Sequence, residues 1–189
     1  RYEAGDYPAA ATLLNRAIPE FGVEQTLQQA ITLGNLSLVY QQLGDLNNAT
    51  TAILESFSLL EGEGADWQSQ VKTSPHRQVS ARLLNIYGRL GYVQGNPAGA
   101  LERWEHASAL YKGLESNASD PSKAMQYHKQ WLTSRLNEIQ ALQTLGSHLQ
   151  SCKGLTETLD LTEQKKLLDC QNDGLPSFTE DEPDFGALV

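Results

Sequence analysis

A glycine followed by a short polar residue recurs along this chain, and each time the same spaced pattern follows it. The pairs are Gly5-Asp6, Gly44-Asp45 and Gly95-Asn96. Five residues after each glycine stands a small residue (Ala10, Ala49, Ala100). Nine after it stands a large apolar one (Leu14, Ile53, Trp104), and twelve after it a small one again (Ala17, Ser56, Ala107). Each slot has a physical reason. Glycine accepts the left-handed backbone that ends a helix. The Asp or Asn beside it can cap the next helix through its side-chain oxygen. Small residues seven apart share one face and let two helices approach, and the large residue between them fills the gap. The pattern predicts antiparallel helix pairs, each stacked on the next. No stretch alternates apolar and polar residues over strand length, so the expected class is all-α.

The residues ahead of the glycines complete the pattern. They are Leu33, Leu36 and Tyr40 before Gly44, and Leu84, Tyr87 and Gly88 before Gly95. Together these units resemble the tetratricopeptide repeat (TPR) over about residues 2–159. The first unit keeps only its second half: Gly5, Tyr7, Ala10, Leu14 and Ala17. A fourth, degenerate unit is expected within 132–159, with Leu145-Gly146 as its turn. It is expected to lack the small residue after that turn, unless Ser151 serves with slippage. The resemblance implies an α-solenoid of about seven helices. The wording of the first two units is also similar to the N-terminal repeats of bacterial CHAT-domain (caspase-like) proteins. That resemblance implies a docking or regulatory arm of a longer protein, with the catalytic residues of that family elsewhere.

The spacing departs from a plain array. Gly5 to Gly44 is 39 residues and Gly44 to Gly95 is 51, against a repeat of about 34. The first excess predicts longer helices or a longer connection. The second predicts a loop insertion at about 61–76, with Ser74 and Pro75 in it and a short helical turn at Trp67–Val71. Asp120-Pro121-Ser122 predicts the start of a long helix reaching about Thr144. The expected organisation is a repeat domain over 1–160, a helix over 161–171 and an irregular acidic tail over 172–189.

Charge narrows the function. The chain holds 14 Lys and Arg against 23 Asp and Glu, a formal charge of −9. Six of the acidic residues lie in 169–189, which has no Lys or Arg. Without them the balance is 17 acidic to 14 basic. Nucleic acid is excluded as a partner because phosphate binding needs a basic face. No run approaches the 18 or so apolar residues needed to cross a bilayer. The tail reads as a solvated segment or as a means of self-association.

The motifs of catalysis are missing. There is no phosphate loop and no nucleophile elbow, and Gly62-Glu63-Gly64 has Trp67 where a dinucleotide loop needs glycine. His76, His106, His128 and His148 have no ligand spacing to one another. No enzyme activity and no cofactor are expected. Cys152 and His148 lie four apart, but nothing around them suggests an activated thiol. Cys152 and Cys170 are expected to be free thiols in a reducing compartment, or a disulfide in an exported protein. Asp169, Asp173 and Glu180 fall at calcium-loop positions. Gln171 and Pro176 depart from that loop, which leaves a calcium-responsive module as the alternative reading.

In TPR proteins the first helix of each pair lines a concave groove. The resemblance places Arg82, Asn85, Arg89 and Tyr92 there, with Gln41 from the preceding unit. Registering the fourth unit on Gly146 adds Asn137 and Gln140. Arg and Asn hold carboxylates and peptide backbone through directed hydrogen bonds. The expected function is therefore non-catalytic binding of a peptide or protein partner. Trp104, Trp131, Tyr40 and Tyr87 sit at core spacing.

Overall fold

A computed structural model describes residues 5–61 and 74–158. They form seven α-helices: α1 (Tyr7–Ala17), α2 (Thr26–Gln42), α3 (Leu46–Glu61), α4 (Ser74–Val93), α5 (Pro97–Ser116), α6 (Pro121–Thr144) and α7 (His148–Thr158). Two short 3-10 turns, Ile18–Glu20 and Val23–Gln25, join α1 to α2. No strand occurs among the described residues, and the class is all-α.

The glycine turns share a left-handed backbone. Gly5, Gly44, Gly95 and Gly146 have φ of +73°, +74°, +81° and +74°. After each of the last three, the next amide reaches back to the helix just ended. Asp45 N bonds Tyr40 O at 2.9 Å, Asn96 N bonds Gly91 O at 2.8 Å, and Ser147 N bonds Leu142 O at 2.9 Å. This is the Schellman closure, which a residue with a Cβ adopts only under strain. The next helix is then capped. Asp6 Oδ1 accepts from Ala9 N, Asp45 Oδ1 from Asn48 N, and Asn96 Oδ1 from Gly99 N, at 3.3, 3.1 and 2.9 Å.

The fourth unit needs no slippage. Ser151 stands five residues after Gly146, in the slot of Ala10, Ala49 and Ala100, and all four are buried. Thr158 takes the place of Ser56 and Ala107, also buried. The unit differs ahead of its turn. Where the others place Leu33 and Leu36, or Leu84 and Tyr87, it places Arg135 and Glu138. Glu138 is 2 % exposed and pairs with Arg135. An ion pair thus fills two positions that are apolar in the sibling units.

The start of α4 also departs from expectation. Ser74 and Pro75 belong to the first turn of α4 rather than to the loop. Proline is tolerated there because its missing N–H has no helical acceptor to lose. The tract from 62 to 73, with the expected turn at Trp67–Val71, lies outside the described residues, as do the helix over 161–171 and the tail. Gly95 and Gly146 are again 51 residues apart. Helix fills that interval, since α5 has 20 residues and α6 has 24. Both ends of α6 are as the sequence predicts: Asp120 accepts from Ser122 N at 2.9 Å at the start, and the helix closes at Thr144.

Packing runs between neighbours. The principal contacts join α1 to α2, α2 to α3, α3 and α2 to α4, α4 to α5, α5 to α6, and α6 to α7. The core is accordingly a string of clusters. Ala10, Ala11, Leu36, Val39 and Ala52 join the first three helices. Ala30, Ile53, Leu83, Ile86 and Leu90 lie within the cluster of α2, α3 and α4. Ala81, Tyr111, Leu114 and Tyr127 join α4, α5 and α6.

One close approach is testable. A Cβ on Gly88 would lie 2.5 Å from Trp104 Nε1 and 2.8 Å from two further ring atoms. The ring cannot retreat without losing its bond to the Asn85 carbonyl, at 3.2 Å. Alanine gains about 1 kcal/mol of helix propensity over glycine, while overpacking costs about 1–3 kcal/mol. We expect Gly88→Ala to lower the urea midpoint. A raised midpoint would show that α4 and α5 have room to spare at this crossing.

Candidate functional site

The predicted groove residues lie on α2, α4 and α6, and side-chain hydrogen bonds bridge these three helices in that order. Arg82 Nη2 donates to Asn35 Oδ1 at 2.7 Å, from α4 to α2. Gln41 Nε2 donates to the Ile86 carbonyl at 3.5 Å, from α2 to α4. Ser134 Oγ donates to Asn85 Oδ1 at 3.0 Å, from α6 to α4. The hydroxyls of Tyr92 and Thr144 lie 2.7 Å apart, between α4 and α6.

Burial divides the predicted residues into two kinds. Asn85 is half-buried, and both its side-chain and main-chain oxygens accept bonds that fasten α4 to its neighbours. Tyr92 is half-buried, its ring 5.8 Å from that of Trp104. Gln41 is half-buried too, and its Oε1 has no hydrogen-bond partner. These three side chains are built into the packing. Arg82, Arg89 and Gln140 are exposed. Among the described residues neither Arg82 nor Arg89 makes an ion pair.

Asn137 is half-buried and one residue out of register. Counting back from Gly146 as from Gly95 puts Leu136 in the slot of Asn85 and Thr133 in that of Arg82. Gln140 does match Arg89. Leu136 is 49 % exposed, so it adds an apolar spot that the sequence reasoning missed. Counting from the turn glycine would have found it. Under this face lies Tyr111, 2 % exposed. Burial pushes its phenol up to about 12, against the opposing pull of Arg82 and of a hydrogen bond with Asn85. It therefore stays protonated at neutral pH.

Cys152 is 2 % exposed and disulfide-bonded, which corrects the expectation of free thiols. Its sulfur is thereby removed from any pairing with His148. The sequence holds one other cysteine, Cys170, outside the described residues. Asp169, Asp173 and Glu180 lie outside them as well. Among the described residues no three His, Cys, Asp or Glu are grouped to hold a metal ion. No described helix is long and apolar enough to cross a membrane. Trp104 is core, 2 % exposed, and half-buried Trp131 packs against the cluster of Ala81, Tyr111, Leu114 and Tyr127 while also lining a surface pocket.

No protein-family model matches the chain, and comparison with curated proteins finds no significant relative.

Proposed function

We propose that the chain is a non-catalytic, TPR-like solenoid arm that binds a peptide or protein partner across α2, α4 and α6. The observation that carries this reading is the free cationic charge on α4. Arg82 and Arg89 are seven residues apart, two turns of one helix, and both are exposed without an ion pair among the described residues. They sit in a protein of formal charge −9. On α6, Gln140 supplies a hydrogen-bonding group in the slot that matches Arg89, and exposed Leu136 an apolar one in the slot that matches Asn85. Such a mixture suits an extended segment bearing carboxylates, which arginine holds by paired N–H donors. The four left-handed glycine turns and the side-by-side bridging of α2, α4 and α6 support the solenoid. The resemblance to repeats of CHAT-domain proteins makes a docking arm of a larger protein the natural setting.

The test is a quantitative pull-down of partners by the wild type and by Arg82→Ala with Arg89→Ala. Both positions are exposed, so the fold should survive, and circular dichroism checks that it does. Charge-assisted hydrogen bonds contribute about 1.5–3 kcal/mol each, so capture should fall about tenfold or more. Equal recovery by the two proteins would remove the groove assignment.

A further inference from the structure

Away from the α2–α4–α6 face, α5, α6 and α7 line an open surface pocket of about 370 Å³. Its lining is Ser108, Ala109 and Lys112 from α5, Trp131 and Arg135 from α6, and Glu157 from α7. The size falls in the range of pockets that take a small ligand or a side chain. Two cations face it. Lys112 Nζ lies 4.6 Å from the centre of the Trp131 ring and 3.1 Å from Glu115 Oε2. His128 packs on the other side of this group, its ring 5.4 Å from that of Trp131 and its Nδ1 3.0 Å from Glu115 Oε1.

Arg135 is the unusual member. It occupies a position that is leucine in both better-formed units. Nη1 is held by buried Glu138, and Nε reaches Thr158 Oγ1 at 3.4 Å. Among the described residues Nη2 has only Glu157, 3.6 Å away, and that carboxylate is 75 % exposed. So distant and wet a pair contributes little. The guanidinium is thus fixed in place by buried partners while one edge of it stays exchangeable. Beside that edge lie the Trp131 ring and Ala109, an apolar wall. A fixed cation, a second cation on a flexible stem and an apolar wall match one chemistry: a carboxylate on a short apolar stem.

We infer that this pocket binds a glutamate-type side chain of an acidic peptide, whose carboxylate displaces Glu157 from Arg135 while its methylenes lie against Trp131. The inference does not depend on the groove, since it shares no residue with it.

The probe is a blocked peptide of six glutamates, titrated into the full chain, with a glutamine counterpart as control. The readout is the indole N–H resonance of Trp131, assigned by its loss in Trp131→Phe. A saturable shift with glutamate and none with glutamine is the expected result. Lys112→Glu should weaken binding. Glu157→Gln should tighten it about two- to fivefold, because it removes the internal competitor. A gain of affinity cannot come from misfolding, which keeps the test decisive. The assignment is overturned if Trp131 does not respond or if glutamine acts equally. It is likewise overturned if Glu157→Gln leaves affinity unchanged or lowers it, or if the shifts gather around Arg89 and Leu136.

Discussion

Trp104→Ala is expected to destabilise the protein by about 3–5 kcal/mol, the range for removing a buried indole. Trp104 is 2 % exposed and packs with Ala100 and Ala141 at the junction of α4, α5 and α6. Three further features serve it. Gly88 leaves a space that its ring occupies, Tyr92 tilts against it, and the Asn85 carbonyl accepts its N–H. A chain of this size is stable by only about 5–15 kcal/mol, so the loss is a large fraction of the whole. Urea denaturation followed by far-UV circular dichroism measures it. Trp104→Phe keeps most of the apolar contact and loses the N–H, so its cost should be clearly smaller. A loss below about 1 kcal/mol in the alanine variant would mean that the large residue nine after the turn glycine does not anchor the hairpins.

That slot was legible because it is defined by distance from a residue with a distinctive backbone need. All four positive-φ glycines were readable, since only glycine sits there without strain. The caps at Asp6, Asp45, Asn96 and Asp120 were readable for the same local reason. The start of α4 was not, because its first turn at Ser74–Pro75 reads as loop by composition. Both ends of α6 were, from the Asp120-Pro121-Ser122 start and the periodicity that reaches Thr144. Arg135 and Glu138 made the fourth unit look degenerate, because charges at core positions break the apolar pattern. The error at Asn137 follows from that weak registration. The pocket was the least legible feature. Its residues come from three helices with no motif linking them, and only the crossing of α5, α6 and α7 brings them together. The disulfide depends on redox compartment, which the bare sequence does not reveal.

The second large effect is expected at Arg135. Arg135→Ala leaves Glu138 almost wholly buried without its cation, and breaking such a pair from one side costs about 3–5 kcal/mol. The loss should depend on pH with a definite sign. In the wild type, burial raises the Glu138 carboxyl above its usual range, although Ser108 and Arg135 oppose it. A raised acid binds its proton more tightly when folded. Its favourable contribution is therefore complete below the unfolded value and is lost as pH rises through the folded one. Removing Arg135 takes away one of the opposing influences, so that loss deepens and extends upward in pH. Arg135→Ala should thus be less destabilising at pH 5 than at pH 7, and Glu138→Gln in the same background should flatten the difference. Arg135→Leu combined with Glu138→Leu restores the apolar pattern of the sibling units. Replacing a buried ion pair in this way is often neutral or stabilising by about 1–4 kcal/mol. If the double leucine variant is the more stable protein yet no longer responds to the glutamate peptide, the ion pair is held at a cost to stability for the sake of the pocket. If it is less stable than the wild type by several kcal/mol, the pair is itself part of what holds α6 to its neighbours.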